Sequence, residues 1–285
     1  AARLKGASRH SRGGGAARAD TDKQQGFPRT ARPSRHSEPG GLLRRFKTRM
    51  KSVIIKPQKT GRGSAVEYME YLEKLIPEKD SLKIVKSEAA KFHKTHSSDE
   101  CCKMGRELYQ SDNFQIQEVG VLLLGYASHE NAEALSFLKN TVSLHESWKV
   151  QEVLAMAFDN HCRLSGYEAS LPVIKEWLGS GCANVRRAAS EGLRVWTSRP
   201  YFKDNPRAAI DMLAALKSDE SEYVRKSIGN ALRDISRKHG GLVAEELGTW
   251  DLSSRKTLQV YKLAAAFIGS PARPGGQGMG NRREK

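Results

Sequence analysis

The sequence predicts an all-α protein built as a helical-repeat solenoid, and three observations lead there. Apolar residues recur at steps of three and four along most of the chain, and no stretch alternates with the period of a strand. A twelve-residue pattern occurs twice, 39 positions apart: VRRAASEGLRVW at residues 185–196 and VRKSIGNALRDI at residues 224–235. Weaker copies lie upstream, QIQEV at residues 115–119 and KVQEV at residues 149–153. Anchored on Ile116, Val150, Val185 and Val224, the copies are spaced by 34, 35 and 39 residues, the period of a helical hairpin stacked on its neighbours. The repeat is HEAT-like, because the Trp, Gly and Pro signature positions of the tetratricopeptide repeat are not met. A right-handed α-α superhelix, C-shaped with a concave basic groove, is the expected form.

Each element has its own local signal. Ordered structure is expected from Ser64, which stands in capping-box spacing to Glu67. Val66, Met69, Tyr71, Leu72 and Leu75 then form an apolar stripe that Pro77 ends. Further helices are expected over residues 81–94, 98–110, 113–127, 131–143, 147–160, 168–178, 183–197, 206–216, 221–237 and 253–268. Residues 1–63, rich in Arg, Gly, Ser and Pro without apolar periodicity, read as a disordered basic leader. Met50 precedes the first apolar run and is a candidate start, which would make the leader non-native. A transit peptide is the runner-up for the leader. Residues 64–270 form the repeat domain, and residues 271–285 a second basic tail.

The net charge of +16 invites a nucleic-acid partner, but its distribution matters more than its size. Residues 1–50 hold 13 Lys and Arg against 3 Asp and Glu, while residues 51–270 hold 31 against 28. Charge in the folded part is therefore informative only where it clusters. No apolar run has the length of a membrane span and nothing has the shape of a secretory signal. Cys101, Cys102, Cys162 and Cys182 form no CxxC pair, so reduced thiols and a cytoplasmic location are expected.

Equivalent positions of stacked repeats line one surface. Gln117 and Glu118, Gln151 and Glu152, Arg186 and Arg187, and Arg225 and Lys226 should thus form two neighbouring rows, an acidic sector beside a cationic one. Residues 182–238 carry 12 Lys and Arg against 7 Asp and Glu, and Arg194 and Arg233 extend the cluster by one face. Such a sector suits a phosphate backbone, where each neutralised phosphate releases counterions. The alternative is that these cations are satisfied within the protein, Arg187 by Glu191 and Lys226 by an acid in the preceding turn.

WKVQEV at residues 148–153, NVRRAASEGLRVW at residues 184–196 and SEYVRKSIGNALRDISRKH at residues 221–239 resemble the bacterial DNA alkylation repair family, the AlkC/AlkD-like HEAT-repeat DNA glycosylases. The resemblance spans residues 68–268 and is carried mainly by the C-terminal half. It implies an enzyme acting on duplex DNA, without cofactor or metal, that hydrolyses the N-glycosidic bond of N3- or N7-alkylated purines. Relatives of the AlkD type do so without flipping the base into a deep pocket. The family's catalytic Trp, with an acid four positions later, falls on Trp148 and Glu152, and its functional arginine falls on Arg187. Glu152 is one carbon longer than the usual aspartate. The family's second tryptophan, after Ile-Gly, is replaced here by Asn230. The DNA-contacting set expected beside the catalytic residues is Glu118, Arg186, Arg194, Arg225, Lys226, Asn230 and Arg233.

The chemistry fits these residue types. An alkylated purine is already cationic, and its departure builds positive charge on the sugar that a carboxylate can stabilise. An indole face attracts a cationic base by about 0.5–2 kcal/mol. Trp148 and Glu152, one helical turn apart, share a face. The competing reading of Trp148 is an aromatic packed between repeats, since Phe114 holds the equivalent place before Ile116. Trp177, Trp196, Trp250 and Tyr261 lie in apolar stripes and read as core, and Tyr68, Tyr71 and Tyr126 are candidates for the missing ring. His93, His96 and His161 match no metal-ligand spacing. Ser190 and Ser227 have no histidine placed to activate them. A monomer is expected. The alternatives to a glycosylase are a non-catalytic binder of damaged or branched DNA and a scaffold for a protein partner.

Overall fold

A computed structural model describes residues 65–77 and 81–268. The expected leader, the capping position Ser64, Met50 and the C-terminal tail lie outside the described residues. Among those described, every regular element is a helix and none is long and apolar enough to cross a membrane. The first half runs α1 (Ala65–Leu75), α2 (Leu82–His93), α3 (Ser98–Leu108), α4 (Phe114–Ala127), α5 (Ala132–Asn140) and α6 (Trp148–Ser165). The second half runs α7 (Leu171–Leu178), α8 (Ala183–Gly192), α9 (Pro200–Asp204), α10 (Pro206–Ala214), α11 (Glu222–Gly248) and α12 (Arg255–Ala264).

Local chemistry sets most of the helix starts. Ser97 opens α3 with a capping box, its Oγ accepting from the Glu100 amide while its own amide donates to Glu100 Oε2. Asn113 caps α4 and Asn131 caps α5 through their side-chain oxygens. Pro200 and Pro206 occupy the first helical position of α9 and α10, where the missing amide hydrogen costs nothing.

The four anchors Ile116, Val150, Val185 and Val224 are all buried, one on each of α4, α6, α8 and α11. These four helices stack in chain order, α4 on α6, α6 on α8 and α8 on α11, and α12 continues the row. Helices α3, α5, α7 and α10 pack behind them, so the repeat read from the sequence is a helical-repeat solenoid with an inner row of stacked helices. One apolar core runs through it, from Leu72 to Ala264.

Two inner contacts are unusually close. A Cβ on Gly125 would stand 2.5 Å from Ala157 Cα, and one on Gly192 would stand 2.2 Å from the Ala155 carbonyl oxygen. Neither is sterically possible, so α4 and α8 approach α6 backbone to backbone because these positions lack side chains.

The boundaries depart from expectation where tertiary contacts decide them. Helix α8 stops at Gly192 and not at Thr197, since Gly192 must meet Ala155 while Trp196 turns inward, fully buried, to donate from Nε1 to the Ser190 carbonyl. Helix α6 continues past Asn160 to Ser165 and ends at Gly166, whose φ of 87° is the left-handed conformation glycine tolerates. Helix α11 runs beyond Arg237 with a kink at His239. Helix α9 had no expected counterpart.

Candidate functional site

The first of the two rows does structural work. Gln117, Gln151, Arg186 and Arg225 each donate to the carbonyl six residues earlier: Ser111, His145, Ser180 and Asp219, at 2.6–2.8 Å. Each fastens the start of its helix to the preceding loop, whether the side chain is an amide or a guanidinium. The two arginines also reach the next repeat. Arg186 forms a bidentate pair with Asp219 at 2.7 and 2.8 Å, and Arg225 donates to Gln259 at 2.8 Å. Asp219 is 4% exposed, so this pair is desolvated and locked. Arg186 and Arg225, expected on DNA, are thus held by partners within the fold.

The second row behaves differently. Glu118 is buried on α4. Glu152 is exposed on α6 and Arg187 half-buried on α8, and both line one cavity of about 470 Å³. Among the described residues neither has a hydrogen-bonded or ion-paired side-chain partner, and the expected Arg187–Glu191 pair does not form. Glu191 instead pairs with Arg194 at 3.0 Å and accepts from Ser227 Oγ at 2.7 Å. Ser227 in turn accepts from Ser190 Oγ, which accounts for both serines as a structural hydroxyl chain. Lys226 pairs with Glu222 one turn earlier at 2.7 Å and is not among the cavity walls.

Trp148 begins α6 one turn before Glu152 and is 61% exposed, whereas Trp177 and Trp196 are fully buried and Trp250 nearly so. The packed-aromatic reading of Trp148 is therefore incorrect: the equivalent Phe114 is half-buried under the Lys149 ammonium, but no ring among the described residues stacks on Trp148. Arg194 lines the cavity, its guanidinium bridging Glu191 and Asp234. Asn230 and Arg233 sit half-buried on α11, away from the cavity walls.

Four cavity residues had no sequence signal. Lys86, exposed on α2, supplies a cation from a helix where the repeat motif is absent. Asp159 lies seven residues after Glu152 on the same face of α6. It accepts from Tyr167 Oη at 2.9 Å and pairs with Arg199 at 2.9 Å. Burial raises the Asp159 carboxyl above the usual range, opposed by Arg199 and by the tyrosine hydrogen bond. Tyr126 and Met156 give the cavity an apolar side. The Glu152–Asp159 spacing on α6 was visible in principle, but the Arg199 contribution depends on the turn after α8.

Fold and site together define a helical-repeat scaffold whose stacked inner helices enclose a charged, ligand-sized cavity. Over residues 59–251 the sequence matches the family described as DNA alkylation repair enzyme, and the chain belongs to that family. It is 48% identical to AlkD2 from Streptococcus mutans, whose crystal structure superposes with a TM-score of 0.69 over 72% of this chain and 99% of that one. An Enterococcus faecalis protein described as a predicted DNA alkylation repair enzyme shares 18% identity and a TM-score of 0.53, covering 73% of this chain and 95% of that one, a likeness of fold alone. The uncharacterized protein YhaZ of Bacillus subtilis (strain 168) is 38% identical over 87 residues, which span 29% of this chain and 24% of YhaZ.

Proposed function

We propose that this chain binds alkylated duplex DNA along the α4–α6–α8–α11 row and hydrolyses the N-glycosidic bond of N3- or N7-alkylated purines there. The observation that supports it most is Glu152, an exposed carboxylate without a protein partner on the same cavity as Arg187. In this reading the bond between the purine nitrogen and C1′ breaks, and its electron pair neutralises the cationic base. Glu152 stabilises the positive charge that develops on the sugar and orients a water, whose oxygen bonds to C1′ as its proton leaves. Exposed Trp148, one turn away, offers its ring to the cationic base or the sugar. Arg187 and Lys226 contact phosphates, Lys226 by exchanging Glu222 for the backbone.

A second reading, DNA binding without excision, is favoured by Asn230, which places no aromatic on α11, and by the engagement of Arg186, Arg194 and Arg225 within the protein. Release of 3-methyladenine and 7-methylguanine from methylated duplex separates the two. Glu152→Gln is expected to slow release about a hundredfold with little loss of binding. Release that the substitution leaves unchanged removes Glu152 from the mechanism. Salt-sensitive binding by the wild type without any release establishes the second reading.

A further inference from the structure

The cavity shared by Glu152 and Arg187 has an aromatic wall. Tyr126 of α4 lines it beside Leu122 and Met156, opposite in character to the charged residues of α8. The ring is held firmly. It stacks face to face on the imidazole of His93 from α2, with centroids 4.5 Å apart and planes 2° from parallel. Its backbone carbonyl accepts from His129 Nδ1 at 2.8 Å. Burial, then His129 and Arg163, lower the pKa of His93, so the ring behind Tyr126 stays neutral and does not repel a cation in front of it.

We propose that Tyr126 is the stacking surface of this site, and that the site receives a purine base bearing a fixed positive charge after that base has left the duplex stack. The proposal rests on the functional reading above and names the contact that reading lacks, a ring to take the place of the aromatic absent at Asn230. Three properties of the cavity fit such an occupant. Its volume of about 470 Å³ falls within the usual range for small-molecule sites and holds a base with its sugar. Its walls pair an aromatic and apolar side with a carboxylate that has no protein partner, which suits a planar cation better than a neutral base. Lys86 and Arg187, on α2 and α8, supply cations for the flanking phosphates. A base still stacked in the helix cannot reach a ring inside the cavity, so occupancy requires unstacking, which is least costly at a damaged position.

The probe is 7-methylguanosine in mildly acidic buffer, where its base is cationic, with guanosine as the neutral control, titrated into the full chain by calorimetry. The wild type is expected to prefer the methylated nucleoside. Tyr126→Leu should weaken its binding about tenfold, while Tyr126→Phe and Tyr126→Trp retain it. Glu152→Gln should erase the preference over guanosine. Thermal melting of each variant shows that the fold is kept. Equal binding by wild type and a folded Tyr126→Leu overturns the proposal, as does the absence of nucleoside binding by folded wild type. Tyr126-dependent nucleoside binding without release from duplex leaves this proposal standing and overturns only the excision.

Discussion

Arg186 and Arg187 point about 100° apart around α8, the rotation between successive helical residues, and that rotation separates their roles. Arg186 falls over the loop before its helix, where the Ser180 and Gly181 carbonyls and the Asp219 carboxylate take all its reachable donors. Arg187 falls over the cavity. The sequence showed two adjacent cations in each of two repeats. It did not show which would be consumed by the fold, because that depends on where the preceding loop places its carbonyls. The upstream copies held the clue: Gln117 and Gln151 occupy the same row without charge, and a position filled equally by Gln and Arg is one that needs donors, not a cation. Arg186→Ala is expected to lower the unfolding free energy by about 2–4 kcal/mol, since it leaves the desolvated Asp219 carboxylate unpaired. Arg187→Ala should stay within about 0.5 kcal/mol of wild type. Equilibrium urea unfolding of the two variants tests the contrast, and equal effects would contradict the assignment of rows.

At the scale of the element, the helical periods were legible and the helix ends were not. Ile116, Val150, Val185 and Val224 declared themselves because a buried anchor must recur with the hairpin, and all four are in the core. The end of α8 could not be read from propensity, because it is imposed by α6: Gly192 lies against the Ala155 backbone, and the chain then turns to bury Trp196. The same contact builds the cavity, whose walls include both Ala155 and Gly192. Gly192→Leu is therefore expected to force α8 off α6, costing roughly 3 kcal/mol or more and lowering the melting temperature markedly. Gly241→Ala, on an exposed stretch of α11 where an added Cβ meets nothing within 4 Å, should instead stabilise by up to about 1 kcal/mol. A Gly192→Leu protein that melts like the wild type would show that the close approach is not required.

For the whole molecule, the distribution of charge carries more meaning than the total of +16. Most cations of the inner row already have partners: Arg186 with Asp219, Arg194 with Glu191 and Asp234, Arg225 with Gln259 and two carbonyls. A backbone-gripping surface assembled from the residue count alone would be overestimated several-fold. The cations left for phosphate are those whose release costs little: Arg187, Lys86 and, by breaking an exposed pair worth well under 1 kcal/mol, Lys226. Each phosphate contact contributes about 0.9 to the slope of log affinity against log salt. Arg187→Ala and Lys226→Ala should each flatten that slope by about one, while Arg225→Ala should leave it unchanged, any loss of affinity arising through stability. The measurement is binding to an unmethylated duplex over a range of salt concentrations. A slope that responds to Arg225 and ignores Arg187 would move the DNA path to the loop side of the inner helices and away from the cavity that Glu152 faces.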